Sequence, residues 1–329
     1  MGKTSVVVND FVRNKRRFAD MFNGFCFGGE SVIRPEDLEE GSEQYMLEQG
    51  DEEKPEEAER FRDVKMRLKN GVVLRILAIE NQDYVDYTMP FRCMEYDCLE
   101  YGRQVQELKD RNRQQKLLKG SNEWLSGIRK EDRLNPVYTV CLYHGEDTWD
   151  GPRTLREMMV FGEDADSMSE LFVDYSMRLF CVNEHEDFDM FHTELKEVFT
   201  ALKYRCDKVG MQKLMEENEA YRHLDRDSLR TLSVLLKRPD IWEERAKYMS
   251  KNGEQEEYDM CLAMREWEAE ARENGRTIGR AEGRADALAL MINIVGILRE
   301  DAGLGDGEIA ERCGCSEEEV QAIRKALNL

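Results

Sequence analysis

No run of about 18 uncharged apolar residues occurs in the chain, so no membrane-crossing helix is expected. The opening Met1-Gly2-Lys3-Thr4-Ser5-Val6-Val7-Val8-Asn9-Asp10 has too short an apolar stretch for a secretory signal. Val6 stands where a myristoylation pattern needs Ser or Thr, so a lipid anchor of that kind is not expected either. The nine cysteines are odd in number and lack framework spacing, which suits a reducing, cytoplasmic setting. Cys313-Gly314-Cys315 has no second pair or nearby histidine to complete a zinc site, and His144, His185, His192 and His223 show no ligand spacing. Basic residues are also in deficit. With 48 Lys and Arg against 69 Asp and Glu, the net charge is −21, the wrong sign for chain-wide attraction to phosphates.

The acid is unevenly placed. From Glu36 to Glu59 there are twelve acidic residues against Lys54 alone, a segment of −11 that leaves −10 for everything else. It reads as a solvated loop or short helix. Two basic clusters stand out, Arg13, Lys15, Arg16 and Arg17, then Arg111, Arg113, Lys116 and Lys119. They are either solvated helix faces or walls contacting a nucleic-acid backbone.

Asn70-Gly71 separates an alternating run, Arg62 to Leu68, from an apolar, β-branched run, Val72 to Ile79. Asn-Gly between such runs predicts a hairpin with a type I′ turn, in which both turn residues take positive φ. If Lys69 pairs with Val72, paired numbers sum to 141 and Asp63 stands opposite Ala78. Asp63, Ala78, Glu80 and Gln82 then share a face, with Asp63 and Glu80 as diagonal neighbours about 7–8 Å apart at the backbone. Two carboxylates at that separation can share a divalent cation. Asn81 faces the other way.

An Asp on one strand, with Glu-x-Lys or Glu-x-Gln ending the next, is the core pattern of the PD-(D/E)XK nuclease superfamily. The chain resembles more specifically the bacterial recombination-promoting nuclease and transposase family. The likeness rests on Arg62-Asp63-Val64, Ile79-Glu80-Asn81-Gln82, Met89-Pro90-Phe91-Arg92-Cys93-Met94-Glu95-Tyr96-Asp97, Asn135 to Gly145, and Trp149-Asp150-Gly151-Pro152. It implies an α+β fold with a restriction-endonuclease-like core, a mixed sheet flanked by helices, followed by an all-helical C-terminal extension. It also implies DNA cleavage with Mg²⁺ or Mn²⁺ in recombination or mobile-element contexts. Asp63, Glu80 and Gln82 would be catalytic, with Asp63 and Glu80 on the metal. Gln82 departs from the more frequent lysine. The alternative is a catalytically weak nuclease-fold protein that binds DNA or regulates.

Periodicity predicts a first helix over Arg13 to Phe27, buried through Phe18, Met21, Phe22 and Phe25 and stopped by Gly28-Gly29. Asp20 or Glu30 could add an acidic group to the site. A second helix is expected from Met89 to about Lys119, buried through Met94, Cys98, Tyr101, Val105 and Leu108, with Arg92 and Tyr96 one turn apart. A central strand over Pro136 to Tyr143, a helix over Leu155 to Phe161, a strand over Phe172 to Cys181 and a helix over Phe188 to Lys203 follow. The expected divisions are 1–206, nuclease-like with an acidic insertion at about 36–59; 207–300, a charged helical extension; and 301–329, a small helix-turn-helix-like end. The repeat Gly275, Gly279, Gly283 needs a reason inside a helix, either close approach of a partner helix or a flexible tether. Self-assembly through this helical region is a further expectation. The end carries Ser316 and Glu319 as a capping box. Its second helix begins Glu317-Glu318-Glu319, which would repel phosphates, so packing rather than DNA reading is expected there.

Overall fold

The structure, a computed structural model, describes residues 3–40, 64–79, 85–162, 169–252, 255–301 and 303–327. At the start, the expected first helix is present from Lys15 to Phe27, preceded by a further helix that periodicity did not indicate and begun by Asn14. The Asn14 side chain accepts from the Arg16 amide at 3.0 Å and caps α2, Lys15–Phe27, after α1, Lys3–Val12. Gly28 ends α2 with φ 62°, a left-handed conformation that glycine adopts without a Cβ penalty. Phe18, Met21 and Phe22 are buried as expected.

Three strands follow as an antiparallel meander: β1, Leu38–Glu40; β2, Val64–Leu68; and β3, Val73–Ile79. After α3, Met89–Gln114, and a short α4, Ser121–Ser126, the chain returns as β4, Val137–Tyr143, parallel to β3. Then β5, Arg178–Cys181, runs parallel to β4, giving a five-stranded mixed sheet in the order β1-β2-β3-β4-β5. β4 is the central strand expected from its sequence, buried at every position except Val137's neighbour Tyr138. The strand expected from Phe172 is shorter than its alternation suggested: Val173 is 90% exposed, and the helix expected near Leu155 is a single 3₁₀ turn at Arg156–Met158.

Two helical layers cover the sheet. Val8, Phe11 and Val12 of α1 meet Leu142 of β4, together with residues of α5, Leu195–Lys203. On that same face Phe180 of β5 sits among Phe25, Phe191 and Phe199, with ring centroids 5.3–5.5 Å apart. α3 covers the opposite face, where Cys93 touches Cys141. Here the expected stripe is corrected. The buried side of α3 is Met89, Cys93, Tyr96, Asp97, Glu100 and Gln104, whereas Cys98 is exposed and Met94, Tyr101, Val105 and Leu108 are half-buried.

The chain divides at Cys261, not near Asp207. Residues Met1–Cys261 form one unit and Leu262–Leu329 another. α6, Lys208–Glu217, and α7, Arg226–Leu235, belong to the first unit, and α1 packs on α7. Arg17, 2% exposed, donates to Glu194 at 3.1 Å and is ion-paired to Asp225, the N-cap of α7, so α7 is fastened to the helical layer on the five-stranded sheet. α8, Pro239–Glu243, and a hairpin of β6, Met249–Asn252, with β7, Gln255–Tyr258, complete this unit.

The second unit holds most of α9, Met260–Glu300, then α10, Asp306–Cys313, and α11, Glu317–Ala326. Ile294, Leu298, Ile309, Ala310 and Val320 make its core. The Ser316–Glu319 capping box is present and Glu317 to Glu319 are exposed. Gly275, Gly279 and Gly283 all lie inside α9, and a Cβ at any of them would meet nothing within 4 Å among the described residues. Each change to Ala should therefore stabilise the helix by about 1 kcal/mol. Thermal unfolding followed by circular dichroism checks this; a loss of stability would reveal a partner packed on that stripe.

Candidate functional site

Register decides which side chains share a face. Leu68 and Val72 close the hairpin, with the Leu68 amide donating to the Val72 carbonyl at 2.8 Å, so the loop has three residues, Lys69-Asn70-Gly71. Only Gly71, φ 92°, takes positive φ, and the Asn70 side chain accepts from the Val72 amide at 3.1 Å. A three-residue loop of this kind replaces the expected type I′ turn. Paired numbers consequently total 140, as for Val64 with Ile76, rather than 141. In a ladder with an even total, residues of equal parity share a face, so this register, unlike the expected one, pairs no odd-numbered residue of β2 with an even-numbered residue of β3. Asp63, Glu80 and Gln82 themselves lie outside the described residues.

The strands leading to them are well placed for a site. Ile79, Tyr143 and Cys181 lie in one row at the carboxyl ends of three parallel strands. Ligands in open α/β sheets bind outside such ends. Val85 packs against the buried cluster that includes Tyr143, Trp149 and Cys181. Gly151 packs tightly there, since a Cβ would stand 3.0 Å from the side chains of both Val85 and Tyr87. The Tyr87 hydroxyl donates to Asp150 at 3.2 Å.

Beside them, Arg92 donates to Asp86 at 2.6 Å and to the Tyr96 hydroxyl at 3.3 Å. Burial pushes the Asp86 carboxyl up, but hydrogen bonds from Thr88 and the Arg92 charge outweigh it and hold the group below its ordinary value. Arg92 and Tyr96 thus already have partners within one ion-paired turn.

Below that edge lies a polar layer that sequence periodicity missed. Lys65, Arg75 and Thr139 are direct neighbours across β2, β3 and β4. Two cations side by side on a sheet repel, and α3 answers them. Glu100 takes Lys65 at 3.5 Å and Arg103; Asp97 accepts from Thr139 at 2.6 Å and from Tyr175 at 2.8 Å, with Arg75 at 3.7 Å. Burial raises the Glu100 carboxyl, yet Arg103, Lys65 and Arg75 together hold it below its ordinary value. The Tyr175 hydroxyl is pushed well up, by burial first and then by the Asp97 charge. The signal existed in the three- and four-residue spacing Cys93, Asp97, Glu100, Gln104, but a polar stripe reads as a solvent face.

The expected basic walls fare unevenly. Lys15, Arg16 and Arg113 are exposed, Arg13 is half-buried, and Arg111 reaches Asp132 at 3.2 Å. Arg17 is a correction: fully enclosed and bound to carboxylates, it has no surface to offer a phosphate. Asp20, buried, accepts from the His192 and Thr193 amides at 2.9 and 2.8 Å and the Thr193 hydroxyl at 2.7 Å, so it fixes the approach to α5. Glu30 is exposed. Among the described residues no group of three His, Cys, Asp or Glu is arranged to hold a metal ion.

His144, next after β4, is buried against the apolar ends of α1, α5 and α7. Burial first, and the Arg205 charge second, lower its pKa to about 4. The unfolded chain takes up a proton near the ordinary value of 6.5 and the folded one only near 4, so stability is present above that window and falls as pH drops through it. At pH 5 the expected loss is about 2 kcal/mol. Urea midpoints at pH 7 and 5 should diverge less in His144→Gln; an identical divergence would remove this histidine from the account.

No family model, no curated protein and no solved structure matches the chain.

Proposed function

We propose that the protein is a metal-dependent DNA endonuclease of the PD-(D/E)XK kind, acting in recombination or on mobile elements. The observation that supports it most is the order of elements: helix, three antiparallel strands, helix, then a strand parallel to the third. In that order β3 ends at Ile79, the residue before Glu80-Asn81-Gln82 in the sequence, at the edge where three parallel strands end.

In this reading Asp63 and Glu80 hold a Mg²⁺ or Mn²⁺ ion, for which an all-oxygen donor pair is chemically apt. When bound, the ion polarises the scissile phosphate and acidifies the attacking water. Gln82 can donate and accept hydrogen bonds to orient water or phosphate, but it brings no charge to match the developing negative oxygen. The observed register adds a condition. Asp63 and Glu80 differ in parity, so for them to meet, the strand alternation has to break once, as at a β-bulge, beyond Val64 or Ile79. Bulges are over-represented beside active sites, where they re-aim one side chain.

Nicking of supercoiled plasmid should appear with Mg²⁺, vanish with chelator and return with Mn²⁺. Nicking indifferent to chelator, or none at any metal concentration, would reject the enzyme reading. The register itself favours the second reading, a nuclease-fold protein of weak or no activity that binds DNA; retained DNA binding without nicking would select it.

Assembly through the helical tail is a separate proposal. It is supported by Ile278, Leu288 and Ile292 of α9, each more than half exposed. Sizing the chain cut after Cys261 tests it, since an unchanged oligomer would exclude the tail.

A further inference from the structure

α8 and the β6–β7 hairpin enclose a surface cavity of about 350 Å³, lined by Arg226, Glu243, Arg245, Glu256 and Tyr258 among others. Its volume lies within the range of small-molecule sites. The two arginines are held in an unusual way. The Arg245 guanidinium lies 4.4 Å from the centre of the Trp242 ring and that of Arg226 5.6 Å. Arg245 also donates to the Trp242 carbonyl at 2.9 Å. Stacking on an indole fixes a guanidinium plane while leaving most of its N–H donors open.

Carboxylates are close at hand but do not close on them. Among the described residues neither Glu243 nor Glu256 forms an ion pair with either arginine, and Glu256 instead accepts from the Tyr258 hydroxyl at 3.1 Å. Elsewhere in this acidic chain arginines near carboxylates pair readily, as Arg103, Arg129 and Arg238 do. Two planar forks, pre-set by one aromatic ring and facing one cavity, suit bidentate capture of a tetrahedral oxyanion.

We infer that this cavity binds a phosphate group, held between Arg226 and Arg245. The inference is independent of the nuclease proposal. The two glutamates limit the charge it accepts, favouring a single phosphate over a polyphosphate. The phosphate could belong to a free phosphomonoester or to a nucleic-acid backbone.

Calorimetric titration of the full chain, with chelator present to exclude bound metal, separates these. The probes are inorganic phosphate, adenosine monophosphate and a short single-stranded oligonucleotide. Binding by the first two identifies a free phosphomonoester, and binding by the oligonucleotide alone identifies a backbone phosphate; either supports the site. Arg226→Gln and Arg245→Gln should each weaken binding by about tenfold or more. Arg245→Lys should recover only part of the loss, because it keeps the charge without the fork. Glu243→Gln should tighten binding, since it removes a repelling charge, and this variant keeps both arginines should either Gln variant fail to fold. No binding by any probe, binding unchanged in both arginine variants, or weaker binding in Glu243→Gln would overturn the inference.

Discussion

Asp63→Asn and Glu80→Gln should each lower Mg²⁺-dependent nicking by about 100-fold or more. Each side chain, in the proposed site, supplies one of two anionic oxygens that fix the ion against the phosphate. Losing one forfeits several kcal/mol of charge stabilisation in the transition state, and about 3 kcal/mol corresponds to roughly 100-fold. The amides keep shape and hydrogen-bonding capacity, so folding should not suffer. Two facing carboxylates without a cation repel, so the urea midpoints of both variants should equal or exceed that of the parent. Full activity in either variant would sink the assignment, whatever the metal dependence of the parent. If only Glu80→Gln is inactive, the strand alternation has not broken in the way required and Asp63 has no part in the site. A second acid would then have to be sought at the same edge, where Asp86 and Asp150 already lie.

The other large effect is on stability. Arg17→Ala should cost about 3 kcal/mol, the lower end for breaking a buried ion pair. The guanidinium is almost wholly enclosed, lies 4.2 Å from the Phe11 ring centre and reaches Glu194, Asp225 and Asp227. It ties α2 to the segment before α5 and to the first turn of α7. Its carboxylate partners are 37%, 44% and 61% exposed, so solvent screens them and the cost stays below the maximum. For a unit of this size the shift corresponds to roughly 6–12 °C in melting temperature. Arg17→Met should recover part of it by refilling the volume, whereas Arg17→Lys cannot span three carboxylates from one point charge. An unchanged melting temperature accompanied by weaker DNA binding would return Arg17 to the nucleic-acid wall.

The Asp63 and Glu80 assignment was read from spacing, a turn dipeptide and a family likeness. The Arg17 assignment came from packing alone, since nothing in Lys15-Arg16-Arg17 distinguishes the third member from its exposed neighbours. Its burial depends on Glu194 and Asp225, which are about 180 and 210 positions away.

Local chemistry settled much of the chain without help. β-branched runs became β3 and β4, Gly28 ended α2, Ser316 and Glu319 capped α11, and among the described residues no helix is long and apolar enough to cross a membrane. These features depend on a few adjacent residues, whose conformational preferences are fixed within a turn or a strand. Tertiary structure took part in the hairpin register, because the three-residue loop is held from outside: the Lys69 amide donates to the Asp37 carbonyl at 3.0 Å and Gly71 lies against the Asn135 side chain. It also decided which side of α3 is buried. Asp97 and Glu100 face inward because Lys65 and Arg75, distant in sequence, line up beneath them, and a buried charge is tolerable only where its partner has been brought to meet it.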